Sequence, residues 1–565
     1  MDKQQLTWNG KGVESSKVLR PRSWIMMVLV GLFPQAYSVH AQEQNFRVVG
    51  TIVAGSSKVP LARAQVFIEG TNGLKFEAGI LTDAQGRFGF DHVVPGKYLL
   101  SARARGYPQQ TFQQHENFAT GIAVGTGLNS ENIVFGLFAG ASIEGQVIDE
   151  FNEPIREAEV MLFREGINNG SESIRMQTQA TTDDEGHYRF GQLQSGHYYV
   201  AVIAQPWYAQ HTRVQSGQGP SNSAGGIRTL TEQNASLDVV YPITYYSGEI
   251  NSAKASTITL QHGERANANF TLQPIPALHL RLTAPLMDLS QNVGVRISQP
   301  TFGGLEVPLP AQWTGVDKGF IDVGGIPPGH VILGLDAPLA QGSKEGLSWR
   351  QDIDAYTDAT VSIPELTSTV TLNGTVKNTG TNGLPQAAEI EIRDQRSGAT
   401  LSARITAKGT FEFQNPGVKP GKYDLAILNT PEFFVVHVSA IGAKVSGQSV
   451  EIGNEQPVQL TVEVATGMGR VDGVALRDGK PAGGIMILLV PQDFEGESPL
   501  LRRDQSDSDG TFTLIAVPGR YTLVAVDDGW DKEWATPSVL NMLLKKGEIV
   551  EVSPNGKYTT KVKVQ

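Results

Sequence analysis

The chain has 565 residues, no cysteine, 62 glycines, 30 prolines and only 18% charged side chains. At about 100–150 residues per domain, that length calls for roughly four or five domains rather than one core. The missing thiols exclude disulfides, thiolate zinc sites, iron–sulfur clusters, cysteine nucleophiles and a lipid-modified cysteine.

The first element is a leader. Residues 1–22 carry five basic and two acidic side chains; the apolar run Trp24–Phe33 follows, then Pro34 and a polar stretch to Val39-His40-Ala41. A positive flank, a short apolar run and small residues at −3 and −1 predict a signal peptide over 1–41, cut after Ala41. About ten apolar residues span ~15 Å as a helix, half of the ~30 Å hydrocarbon layer, so no retained transmembrane segment is expected. Cleavage leaves 41 basic against 55 acidic residues, a net charge of −14. With no run of basic residues beyond the leader, nucleic acid is excluded as a partner. The expected location is outside the inner membrane: periplasmic, cell-surface or extracellular.

A repeated block then fills the chain. Its first copy passes from Gly50-Thr-Ile-Val53 and Pro60 through Ala64-Gln-Val66-Phe-Ile68 and Thr82-Asp83-Ala-Gln-Gly86-Arg-Phe88-Gly-Phe90 to Pro95-Gly96-Lys-Tyr98. The second copy has Gly145, Pro154, Ala158-Glu-Val160-Met-Leu162, Thr182-Asp183-Asp-Glu-Gly186-His-Tyr188-Arg-Phe190 and Ser195-Gly196-His-Tyr198. A worn third copy keeps Gly319-Phe-Ile321-Asp-Val323 and Pro328-Gly329-His-Val331. The fourth runs from Gly374 through Pro385, Ala388-Glu-Ile390-Glu-Ile392 and Gly409-Thr-Phe411-Glu-Phe413 to Gly421-Lys-Tyr423; the fifth carries Gly473, Pro481, Gly510-Thr-Phe512-Thr-Leu514 and Gly519-Arg-Tyr521.

Alternation with period two in Ala-x-Val-x-Ile and Phe-x-Phe places the apolar side chains of each strand on one face. Asp-x-x-Gly and Pro-Gly between such runs are turns. Short strands with turns every eight to twelve residues predict an all-β chain, a tandem array of about five antiparallel β-sandwich domains. The expected organisation is a first sandwich at 42–140 and a second at 141–275 with a long loop insertion at 205–231. A degenerate third follows at 276–366, a fourth at 367–465 and a fifth at 466–565. The tyrosine after Pro-Gly is expected as a corner residue, its hydroxyl bonded to backbone and its ring inside. One short helix is predicted near 537–546, with Thr536 as N-cap, Pro537 at its first position and Val539, Leu540, Leu543 and Leu544 on one face, lying against the last sandwich.

This block resembles the carboxypeptidase regulatory-like domains, β-sandwich modules of transthyretin-like or prealbumin-like type grouped with carbohydrate-binding-like folds. The resemblance is good over 46–105, 141–204 and 372–428, fair over 469–527 and faint over 276–335. It implies a secreted multi-domain protein and, by fold analogy, carbohydrate as the first ligand to expect.

The search for chemistry yields no catalytic set. A zinc peptidase needs His-x-x-Glu with a distant His, and the one such pair, His40 to Glu43, straddles the cleavage site. No catalytic residue, metal or cofactor is therefore expected. The acidic turns at 182–186 and 504–510 miss calcium-loop spacing and are read as turns. His187 and His197, flanking one hairpin, are read as solvated turn residues. Among the aromatic residues, which include Tyr241, Trp313, Trp349, Trp530 and Trp534, the candidates for a sugar-stacking platform are Trp207, Tyr208, Tyr245 and Tyr246, because an aromatic face suits the C–H side of a pyranose. Trp207 and Tyr208 are favoured, since they follow a strand and enter the loop insertion. The expectation is a non-catalytic string of sandwiches that binds or spaces at the cell envelope, with a polysaccharide or an envelope protein as partner. An inert spacer and an accessory subunit of an envelope complex stand as alternatives.

Overall fold

The computed structural model describes residues 45–565 apart from 212–234, 284–293, 318–319, 339–345, 364–366, 369, 381–382, 385–386, 396–398, 414–417, 431, 454–456 and 493–499. The expected signal peptide and the His40–Glu43 pair lie outside the described residues, as does most of the expected loop insertion. The described chain is all-β, built from five two-sheet sandwiches with five separate inter-sheet cores.

One topology recurs. The opening strand of each sandwich lies between an antiparallel and a parallel neighbour. Phe46–Ala54 pairs antiparallel with Arg87–Val93 and parallel with Ile133–Leu137. Ala141–Ile148 does the same with His187–Leu193 and with Arg265–Asn267 and Phe270–Thr271. Leu278–Thr283, Leu372–Asn378 and Gly469–Arg477 repeat the arrangement with Ala359–Ser362, Val458–Thr466 and Lys557–Lys563 as their parallel partners. The parallel neighbour of each opening strand is an addition to the mainly antiparallel pairing that the sequence predicts. It arises because the chain visits the opposite sheet before returning to the first. The worn third copy shares this order, so its weak sequence signal conceals the same topology.

The repeated residues have repeated jobs. Gly50, Gly145, Gly374 and Gly473 stand directly opposite Phe88, Tyr188, Phe411 and Phe512 in the sheet register. A Cβ at those glycines would come within 2.8, 3.0, 2.4 and 2.2 Å of the facing ring, so glycine opens the space that the aromatic ring fills. Four corner tyrosines each donate to a carbonyl four residues upstream: Tyr98 to Val94 (2.7 Å), Tyr198 to Gln194, Tyr423 to Lys419 and Tyr521 to Val517 (2.8 Å each). Their rings are buried. In the third sandwich Val331 occupies this place, fully buried and without a hydroxyl.

The helix forms at Pro537–Leu544, two residues shorter than expected, and Thr536 turns its hydroxyl to Glu533 O rather than capping a helical N–H. Leu540 and Leu543 are buried against the last sandwich. They cover the outer face of the strand Met486–Pro491, every residue of which is buried. The strand Glu159–Asn168 is covered on both faces in the same way, Val160 and Leu162 by their own core, Met161 and Phe163 by Tyr245, Phe302 and Val307. No helix among the described residues is long and apolar enough to cross a membrane.

Candidate functional site

The strand Gly196–Ile203 of the second sandwich delivers Trp207 and Tyr208 through a turn in which Ala209 N donates to Pro206 O (3.0 Å). Opposite, the opening strand ends at the buried Asp149, whose Oδ1 accepts the N–H groups of Phe151 and Glu153 (2.8 Å each). This side-chain-bridged turn presents Glu150 and Phe151 outward. Tyr208 and Tyr241 both donate to Glu150, at 2.5 and 2.8 Å, one to each carboxylate oxygen. Trp207 is 84% exposed and Phe151 70% exposed, whereas Tyr241 is buried. The Trp207 and Tyr208 rings meet edge to face, 5.7 Å apart at 87°.

The electrostatics follow from those contacts. Burial alone would raise the Glu150 carboxyl, but the two phenolic donors hold it below the usual carboxylate range, so it is ionised at neutral pH. Burial and the Glu150 charge push the Tyr208 phenol up to about 12 and the Tyr241 phenol higher still. Both phenols are therefore fixed donors. The result is an exposed indole face beside an oriented, charged acceptor.

Two of the four expected platform residues lie elsewhere. Tyr245 is 1% exposed, its hydroxyl donating to Thr301 Oγ1 (2.7 Å) and its ring set edge-on to Phe302 at 5.5 Å. This corrects its reading as a stacking residue, because both faces are taken up in packing between the second and third sandwiches. Tyr246 is half-buried against the second core, 6.2 Å from the Phe270 ring. Trp349 is a core residue of the third sandwich. Glu150, absent from the expectations, is the group the structure adds to Tyr208 and Tyr241; the carboxylate lies 58 residues from Tyr208 and 91 from Tyr241 in sequence.

Trp530 and Trp534 belong to a second constellation, a clasp that joins the fifth sandwich to the first two. The His115 and Trp530 rings stack at 5.5 Å and 6°, and Phe118 lies 5.1 Å from Trp530. The Arg503 guanidinium sits 5.3, 5.9 and 5.8 Å from the Phe118, Trp530 and Trp534 rings, and donates to Glu116 (2.9 Å) and to Asn169 Oδ1 (2.6 Å). Ala535 N donates to Gly170 O (2.9 Å). Gln505, 2% exposed, meets Gln113 O (2.6 Å), Thr120 Oγ1 (2.8 Å) and His115 Nδ1 (3.1 Å).

The acidic turn at 504–510 supplies the rest of the clasp. Asp83 and Asp183 spend Oδ1 on two N–H groups of their own turns. In the fifth copy Asp509 accepts Thr511 N (3.0 Å), which frees Asp507 to reach Lys97 Nζ and Gly121 N (3.0 Å). Ser508 adds Ala123 N (2.9 Å). The array is thus not an open string: its last module docks back on its first two.

His187 has Glu185 as a neighbour at 3.6 Å and His197 bonds Thr259 Oγ1 (3.0 Å). Among the described residues no group of three His, Asp or Glu side chains is arranged to hold a metal ion. Trp313 stands on the strand Gln312–Asp317.

Residues 47–128 and 142–273 match the carboxypeptidase regulatory-like domain. The first two sandwiches are carboxypeptidase regulatory-like domains. The platform lies wholly within the second regulatory-like domain, between the end of its opening strand and the start of its loop insertion. No curated protein matches the chain. Among solved structures it is similar to the Bacillus anthracis TIE protein, with 12% identity over 93% of this chain and 75% of that one, at a TM-score of 0.17. It is also similar to GBS52, the minor pilin of Streptococcus agalactiae (11% identity, 41% and 96% coverage, TM-score 0.20), and to the shaft pilin SpaA of Lactobacillus rhamnosus GG (8%, 41% and 98%, 0.19). At such scores these likenesses have no weight for function.

Proposed function

We propose that the chain is an exported, non-catalytic array of β-sandwiches that binds saccharide at the cell envelope, with the Trp207–Tyr208–Glu150 platform of its second regulatory-like domain as the binding site. One observation carries the reading: Trp207 is 84% exposed beside an oriented carboxylate. A solvated indole loses the hydrophobic gain of burial, and a ligand with an apolar C–H face recovers it while its hydroxyl groups donate to Glu150. Regulatory-like domains are non-enzymatic modules, in keeping with a binding role.

A glycan array and a polysaccharide pull-down with the full chain test this, run beside Trp207→Ala. Binding that disappears in the variant is the expected result; an array blank for the unaltered chain overturns the reading. Export is tested by mass spectrometry of the secreted N-terminus, where a start at Gln42 is expected and an intact Met1 is contrary.

A further inference from the structure

The platform differs from a plain stacking surface in its charge. Glu150 is ionised, and its two oxygens have each taken one phenolic donor, which leaves acceptor capacity on both. The neighbouring Asp149 carboxylate is buried and turned inward to backbone N–H groups. The charge that faces a ligand is thus that of Glu150, bonded to Tyr208, whose ring meets the exposed Trp207 edge to face. An ammonium group meets both features at once: its N–H donors gain charge assistance from the carboxylate, and its charge is drawn to the indole face.

We propose that this site takes a saccharide bearing free amines, a hexosamine polymer, in preference to neutral, N-acylated or acidic sugars. The inference rests on the saccharide-binding reading and names its ligand class. The sugar ring stacks on Trp207 through its C–H face while its ammonium group donates to Glu150. Acylation removes the charge and the donors that match the carboxylate, and a uronate places like charge against it. A hydrogen bond to a charged group is stronger than a neutral one by about 1.4 kcal/mol, which corresponds to about tenfold in affinity.

The test is calorimetric titration of the full chain, below neutral pH, with a glucosamine oligomer, its N-acetylated counterpart and an oligo-uronate of the same length. The free-amine oligomer is expected to bind about tenfold more tightly than the acetylated one, with the uronate weakest. In Glu150→Gln that gap closes, while Trp207→Ala loses all three. A salt titration of the unaltered chain gives a readout that needs no variant: the gap narrows as ionic strength rises. Equal binding of the amine and acetylated oligomers, or a gap indifferent to salt and to Glu150→Gln, overturns the inference and leaves the saccharide reading standing. Failure of every oligomer to bind overturns both.

Discussion

Trp534 and Trp207 sit on the margins of two sandwiches of the same design, yet one is 1% exposed and the other 84%. Around Trp534 the chain supplies every partner: Arg503 against its ring, the Gly170 turn beneath it and the Met486–Pro491 strand behind. Around Trp207 the polar group is equally well prepared, Glu150 held by two phenols, but the indole, in edge-to-face contact with Tyr208, stays 84% exposed. The difference teaches that an aromatic side chain beyond a strand end is no evidence of a ligand by itself. What separates a clasp from a platform is whether the chain's own modules have already covered the ring.

The largest effect that breaks the comparison is expected at Trp534. Trp534→Ala removes a fully buried indole and should cost about 3–5 kcal/mol in denaturant unfolding, whereas Trp207→Ala should stay within about 0.5 kcal/mol. Equal losses in the two variants would erase the distinction. Next is Arg503→Ala, which strands Glu116 and uncovers three rings; about 3 kcal/mol is expected, and Glu116→Ala in the same background should add less than it costs alone.

A pH effect comes third. Burial pushes the Asp504 carboxyl up to about 6, against partial relief from the Thr513 and Gln505 N–H groups, and burial also raises Asp507 despite Lys97. A raised carboxyl means that the folded chain holds a proton the unfolded chain releases. For Asp504 this contribution is full below about pH 4 and is lost as the pH rises through about 6, on the order of 3 kcal/mol. Unfolding curves across that window should therefore fall more steeply with rising pH for the unaltered chain than for Asp504→Asn. The smallest effect is at a corner: Tyr98→Phe removes one hydrogen bond and should cost about 1 kcal/mol, while the equivalent third-sandwich residue, Val331, has no such bond to lose.

Much of the fold is legible in the repeat because each repeated residue acts within its own module. Glycine faces aromatic, tyrosine ties its corner, and both partners lie inside one block. Trp207 and Tyr208 stand out in the sequence for a local reason too, since they follow a strand and enter the expected loop insertion. Glu150 does not, because its phenolic partners belong to a distant turn and a distant strand end. Tyr245 misleads because an isolated Tyr-Tyr pair does not reveal which module packs on it. The docking of modules did leave a trace. Ile485–Val490 and Val160–Phe163 are unbroken apolar runs where an ordinary sandwich strand, such as Glu389–Asp394, alternates. Such a run means that both faces are covered. The doubled acids Asp507 and Asp509 are a second trace, one to close the turn and one to spare.

The clasp has a consequence for how the protein is made. Thr120 emerges from the ribosome 385 residues before Gln505, and Phe118 earlier still relative to Trp530, the groups that will shelter them. Until then the earliest module carries an unsheltered loop, and a chain halted midway never conceals it. Proteolytic nicking near residues 113–123 is therefore expected to be faster in chains halted before residue 505 than in finished ones.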